Sequence, residues 1–320
     1  MKKKILVARA MPAAVQERAK ALFDPILSKK TLLIDEAIPI ACDNAVEAIV
    51  FGGHLKLSSD AIACLPASVK VLASTSAGFE HIDVEAAKAR GIMATYAPEA
   101  VTDCTADLAM MLILCTCRRA HEYDAMMRSG WDRLLGFGEM LGIRVSGKTL
   151  GIFGMGRIGR AVARRARGFG MRIVYHDIGR LPPELEEGAE YYPTLGEFLP
   201  QCQVLSLHAS GGASTDRIIN AETIAMLPKG AVVVNAARGT LVDIDALIDA
   251  LQSGHLWGAG LDVYRTEPYR NDRLAALPNT FLTPHIGGAT VETREALAMR
   301  ALDNVEAVLG GRAALDPLWR

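Results

Sequence analysis

Thr149-Leu150-Gly151-Ile152-Phe153-Gly154-Met155-Gly156-Arg157-Ile158-Gly159 joins an apolar, strand-like run to three glycines that open a helix-like segment, Arg157 to Arg167. In that context each glycine has its own physical use. Gly154 allows a tight turn, Gly156 lets backbone approach a pyrophosphate, and Gly159 lets a helix pack close to a sheet. The helix N-terminus then faces the phosphates. Asp177 closes the next apolar run, Arg172 to Tyr175, eighteen residues past Gly159. A carboxylate there can accept hydrogen bonds from an adenosine ribose. A glycine-rich turn with no ligand would leave that acidic residue unexplained, so the stretch predicts a dinucleotide-binding domain that opens in mid-chain.

The chain has 320 residues, enough for two domains. Half of them are hydrophobic and 22% are charged, the balance of an ordered globular chain. The net charge is −1 with both signs interspersed, so there is no basic stripe and no nucleic-acid partner is expected. Lys2-Lys3-Lys4 followed by Ile5 to Ala8 imitates a secretory leader, but Arg9 and Pro12 cut the apolar run short and it reads as a first strand. The apolar stretch Ala109 to Thr116 is too short to span a bilayer, and no membrane partner is expected. Six cysteines, Cys42, Cys64, Cys104, Cys115, Cys117 and Cys202, lack metal-ligand spacing, and a chain of this size needs no disulfides. The expectation is a cytoplasmic protein with reduced, mostly buried thiols and no metal site.

Short apolar runs alternate with amphipathic stretches along the whole chain, which is the pattern of parallel α/β sheets. Strands are predicted at Lys4 to Ala8, Ala48 to Phe51, Val69 to Ala73 and Ile92 to Thr95, then after the glycine motif at Arg172 to Tyr175, Val204 to Leu207, Ala231 to Asn235, Gly258 to Leu261 and Thr280 to Leu282. Asp103 to Arg119 reads as one helix, apolar on nearly all sides and therefore buried. A last helix, Val291 to Leu309, returns the chain to the first domain. The expected architecture is two doubly wound parallel-sheet domains. Residues 99–286 form the dinucleotide-binding one, inserted between residues 1–98 and 287–320.

Three separate segments end predicted strands with reactive side chains: Asn235-Ala236-Ala237-Arg238-Gly239, Asp262-Val263-Tyr264-Arg265-Thr266-Glu267-Pro268, and Thr283-Pro284-His285-Ile286-Gly287-Gly288. In a parallel sheet the C-terminal strand ends line the ligand crevice, so these segments converge near the nicotinamide. Reduction of a 2-oxo acid needs a cation for the carboxylate, a proton donor for the carbonyl oxygen and a hydride from the cofactor. Arg238 offers a planar fork for the first. His285 suits the second, and a carboxylate beside it, Glu267, favours the imidazolium. Singly, Arg238 would read as a salt-bridge arginine and Glu267 as a loop glutamate; the trio means more than its members. His208 also ends a strand and flanks the cofactor or serves the structure.

These segments resemble the D-isomer-specific 2-hydroxyacid dehydrogenases. The matched pieces are Gly154 to Gly159, Asp177, Asn235 to Gly239, Leu261 to Pro268 and Pro284 to Gly288, with Thr102 to Leu108 and Ser76 to Asp83 upstream. The resemblance implies a Rossmann cofactor domain inserted in a flavodoxin-like substrate-binding domain, an NAD cofactor with NADP as the alternative, and a homodimer made through the cofactor domains. It implies Arg238 as carboxylate anchor, His285 as acid/base, Glu267 as its partner, and backbone N–H groups of Ala77 and Gly78 on the substrate carboxylate. It places Asp262 at the nicotinamide carboxamide and Arg157 and Ile158 along the pyrophosphate. Thr105, His208, Ala209, Thr215, Ala236, Ala237, Gly287 and Gly288 complete the implied cofactor contacts. The chain departs from the family after His208, where Ala209-Ser210-Gly211-Gly212-Ala213-Ser214 replaces a Pro-containing loop. Gly147 to Ile152 and Ser129-Gly130-Trp131 look most like glyoxylate and hydroxypyruvate reductases. A phosphoglycerate or other D-2-hydroxyacid dehydrogenase, and a non-catalytic corepressor-like scaffold on the same fold, are the alternatives.

Overall fold

All strand pairs are parallel, as the regular alternation of apolar runs and helical segments requires. The structure, a computed structural model, describes residues 1–319. It divides into one unit of Met1–Val101 with Ala289–Arg320 and a second of Thr102–Gly288. These breaks fall a few residues beyond the boundaries expected from the sequence.

The first unit carries β1 (Lys4–Val7), β2 (Asp24–Leu27), β3 (Ala48–Phe51), β4 (Val71–Ser74) and β5 (Met93–Thr95) in the order β2-β1-β3-β4-β5, the flavodoxin-like arrangement. Side chains of β1, β3 and β4 are buried on both faces, which is why these strands read as unbroken apolar runs. The helix Val291–Leu309 packs on one face through Ala298, Ala301, Leu302 and Val305. Thr290 caps its start by accepting a hydrogen bond from Thr293 N at 3.2 Å.

The second unit carries β6 (Thr149–Phe153), β7 (Arg172–His176), β8 (Glu190–Tyr191), β9 (Val204–Leu207), β10 (Ala231–Asn235), β11 (Leu256–Leu261) and β12 (Thr280–Leu282) in the order β12-β11-β10-β9-β6-β7-β8. That is the Rossmann order, with the chain reversing its direction of spread between β6 and β9.

Three expectations need correction. Strands β2 and β8 are absent from the sequence reading; both are short sheet edges, and β2 contains Pro25, which only an edge tolerates. The long buried helix stops at Cys117, because Arg119 adopts φ +55° and starts a separate helix, Ala120–Ser129. All six cysteines are free, but only Cys117 and Cys202 are buried, whereas Cys42 and Cys64 are exposed. Among the described residues no helix is long and apolar enough to cross a membrane.

Candidate functional site

The three glycines of the motif meet three different environments. Gly154 has φ +95°, and a Cβ there would lie 2.6 Å from the backbone N of Ala209, so only glycine fits the crossing of the two loops. A Cβ on Gly159 would lie 2.3 Å from the Gly154 carbonyl oxygen, which is the close helix-to-strand approach expected of the third glycine. Around Gly156 there is open space, and it caps the start of the helix Arg157–Arg167. An anionic group can therefore come up to this helix N-terminus without meeting a side chain at residue 156. Arg157 is exposed and Ile158 half-buried on the first turn.

Asp177, just past β7, is fixed by two backbone donors. Its Oδ2 accepts from Met155 N at 2.7 Å and its Oδ1 from Ile178 N at 2.7 Å. Each oxygen keeps a lone pair for a ribose hydroxyl. Arg180, three residues on, is turned to Glu186 at 2.9 and 3.2 Å, and that carboxylate is also held by the Tyr175 hydroxyl at 2.7 Å.

On the other side of β6, His208 ends β9. Its Nε2 lies 2.8 Å from Ser206 Oγ, its Nδ1 is buried with no partner among the described residues, and burial pushes its pKa down to about 4. The ring is neutral, so it can flank a cofactor without adding charge. The departing loop is closed on itself: Thr215 Oγ1 donates to Ser210 O at 2.9 Å, and a Cβ on Gly211 would lie 3.3 Å from Arg238 Cγ. The small residues after Ala209 thus let the loop lie against Arg238.

Asn235, buried at the end of β10, forms the turn that presents Arg238. Its Nδ2 donates to Arg238 O at 2.8 Å and its Oδ1 accepts from Ala237 N at 3.0 Å, leaving Ala236 and Ala237 buried beneath. Arg238 is half-buried, and its Nη1 donates to Ala237 O at 2.8 Å. Gly239 follows because a Cβ there would sit 1.9 Å from the carbonyl carbon of Tyr264. This close approach locks the loop after β10 against the loop after β11.

Glu267 and His285 meet directly. Glu267 Oε2 lies 2.6 Å from His285 Nδ1, while its Oε1 accepts from Tyr264 N at 2.9 Å. The carboxylate therefore orients the ring and is itself oriented. His285 adopts φ +53°, a conformation that costs energy for a non-glycine residue and persists only where its surroundings impose it. The constraint comes from Asp262, which is buried: its Oδ1 accepts from Thr283 Oγ1 at 2.6 Å and Ile286 N at 2.8 Å, and its Oδ2 from Gly287 N at 2.9 Å. His285 N also donates to Asp262 O at 2.8 Å. The sequence reading gave Asp262 only a contact with a nicotinamide amide and missed this stapling of residues 283–287. His285 Nε2, by contrast, has no hydrogen-bond partner among the described residues, and the side chain is about half exposed. Thr105, buried on the helix Thr102–Cys117, donates to Gly287 O at 3.4 Å, and Gly288 ends the unit.

In the first unit, Ala77 and Gly78 follow β4 in a turn held by Ser76, whose Oγ donates to Gly78 O at 2.8 Å. The N–H groups of Ala77 and Gly78 donate to no backbone acceptor among the described residues, so both are available to a ligand.

Comparison with known proteins gives concordant results. The family described as D-isomer specific 2-hydroxyacid dehydrogenase, NAD binding domain, matches residues 110–287. A glycerate dehydrogenase of Hyphomicrobium methylovorum is 41% identical over 97% of this chain and 97% of its own length. A glyoxylate reductase of Thermococcus kodakarensis is 40% identical over 97% of this chain and 94% of its own. Among solved structures, an NADPH-dependent glyoxylate/hydroxypyruvate reductase of Sinorhizobium meliloti in complex with citrate superposes with a TM-score of 0.87 at 33% identity, covering 99% of this chain and 97% of that one.

Proposed function

This chain belongs to the D-isomer-specific 2-hydroxyacid dehydrogenase family, an NAD-dependent oxidoreductase, and from that premise we propose that it reduces glyoxylate or hydroxypyruvate to the D-2-hydroxy acid. The observation that carries the reading is the 2.6 Å pair of Glu267, on the loop after β11, and His285, on the loop after β12, beside the loop after β10 that carries Arg238, with His285 Nε2 left unengaged. Bound NADH supplies the hydride. Arg238 grips the substrate carboxylate through its fork. His285 gives its Nε2 proton to the carbonyl oxygen as negative charge develops there. Glu267 keeps the ring aimed. Relatives named for glycerate and glyoxylate support a short, unphosphorylated acid.

Asp177 favours NADH, because its carboxylate would repel a 2′-phosphate and Arg180, the nearest cation in sequence, is taken by Glu186. The test is a panel of 2-oxo acids, phosphorylated and not, with both cofactors. We expect the highest kcat/KM for glyoxylate or hydroxypyruvate with NADH. Equal or better use of NADPH would refute the reading of Asp177. A preference for a phosphorylated or long-chain acid would refute the substrate, and no turnover at all would favour a scaffold.

A homodimer through the second unit belongs to the same reading. The helix Ala120–Ser129 buries none of its residues, and Met127, Trp131, Leu134, Phe137 and Leu141 are exposed within one short stretch. Apolar side chains so concentrated call for a cover, and a second copy supplies it. Sedimentation velocity should give twice the chain mass; a monomer at micromolar concentration would count against it. Free thiols throughout fit the reducing cytoplasm as its location.

A further inference from the structure

The loop after Asp177 leads to a second acidic residue, Glu186, which has no part in hydride or proton transfer. It closes the short helix Pro183–Glu186 and is only 6% exposed. A carboxylate so placed needs polar partners, and three elements supply them. Arg167, at the end of the helix Arg157–Arg167, donates from Nη2 to the Glu186 carbonyl oxygen at 2.9 Å. The buried Tyr175 hydroxyl on β7 donates to Oε1 at 2.7 Å and accepts from Leu181 N at 2.9 Å. Arg180 then clasps both oxygens, Nε to Oε1 at 2.9 Å and Nη2 to Oε2 at 3.2 Å. Hydrogen bonds from Arg180, and then from Tyr175, hold the Glu186 pKa below its ordinary value, so it stays a carboxylate.

The two partners are held unequally. Glu186 is fixed through its backbone by Arg167 and through its side chain by Tyr175, whereas the Arg180 side chain is 66% exposed. Arg180 is therefore the one able to move. The stretch between it and Asp177 sets no steric bar to a 2′-phosphate: Ile178 is wholly exposed, and a Cβ on Gly179 would meet nothing within 4 Å. Discrimination at the ribose is then a matter of charge. An arginine close to the ribose carboxylate is what accommodates a 2′-phosphate, and its fork suits phosphate oxygens. Arg180, three residues past Asp177, would offset the repulsion from Asp177 unless it were kept elsewhere.

We propose that Glu186 is a specificity-determining residue: by holding Arg180 it withholds the counter-charge of a 2′-phosphate and so makes the ribose site selective for NADH over NADPH. The inference rests on the assignment of Asp177 to the ribose. Every residue it uses lies in the second unit. Glu186 is a positioning residue, acting on the cofactor only through Arg180.

Titration of the protein with NADH and with NADPH, followed by cofactor fluorescence, reads both Kd values without turnover. Glu186→Gln keeps an oxygen for the Tyr175 hydroxyl and removes the charge that holds Arg180. Its Kd for NADPH should fall about tenfold or more, as one added charge-assisted hydrogen bond predicts, while its Kd for NADH stays unchanged. A purely structural defect would weaken both cofactors alike. The gain should fade with added salt. Combining Glu186→Gln with Arg180→Gln restores the wild-type net charge and should return the NADPH value to that of the wild type. Tyr175→Phe removes one of the bonds that fix Glu186 and should move NADPH affinity the same way by less, which carries the test if Glu186→Gln does not fold. An NADH-selective wild type whose folded Glu186→Gln shows an unchanged NADPH Kd overturns this inference alone. So does a gain that persists in the double variant, since it would then owe nothing to Arg180. A wild type that binds both cofactors equally overturns it together with the reading of Asp177.

Discussion

His285→Ala should lower kcat for glyoxylate or hydroxypyruvate reduction by about 10²–10⁴-fold, the usual contribution of a positioned acid, while the Kd for NADH stays unchanged. The expectation of such a sharp division follows from how the residue is held. The Glu267 bond reaches only its Nδ1, and the backbone bonds from residues 283–287 to Asp262 do not depend on the imidazole. Truncation at Cβ therefore removes the proton and leaves the loop in place. A variant that retains kcat within about threefold of wild type, below the smallest effect a lost general acid produces, would show that another group or water delivers the proton. A variant that loses NADH affinity in step with turnover would show that the ring supports the cofactor loop instead.

The parts of this arrangement that were legible in the sequence are those written in local pattern. Val204–Leu207, Ala231–Asn235 and Thr280–Leu282 lie at the residues their apolar runs predicted, because strands flanked by helices on both faces have no polar face to blur the signal. The glycine loop was legible for a related reason, since three glycines at fixed offsets each answer a separate steric demand and Gly154 and Gly159 meet those demands at 2.6 and 2.3 Å. Two of the four edge strands, Asp24–Leu27 and Glu190–Tyr191, were lost. Glu190–Tyr191 is two residues long and half solvated, so it carries no period at all.

The deeper misses are residues whose work is tertiary. Asp262 reads as a polar residue at a strand end, and nothing local says that three donors from residues 283–287 converge on it. Gly239 likewise looks like a turn glycine, although what excludes a side chain there is the backbone of Tyr264 on the neighbouring loop.

Arg238→Lys should reduce kcat/KM for the 2-oxo acid by about 10-fold or more, because one of the fork's two hydrogen bonds to the carboxylate is lost and a hydrogen bond to a charged group is worth about 1.5–3 kcal/mol. Lysine keeps the charge and loses the fork, so a carboxylate held at two points would be held at one and the carbonyl carbon would drift from its reacting geometry. The fold should not suffer. What presents residue 238 is the backbone, through Asn235 and the contact of Gly239 with Tyr264, and both survive the substitution. NADH affinity and melting temperature should accordingly match the wild type. The division between kcat and KM then tells which job the fork performs: a rise in KM alone would mean that it only binds, whereas a fall in kcat as well would mean that it orients the carbonyl for the transition state. Near-normal kcat/KM in a correctly folded Arg238→Lys would remove Arg238 from the substrate site. The carboxylate would then have to be held by other groups.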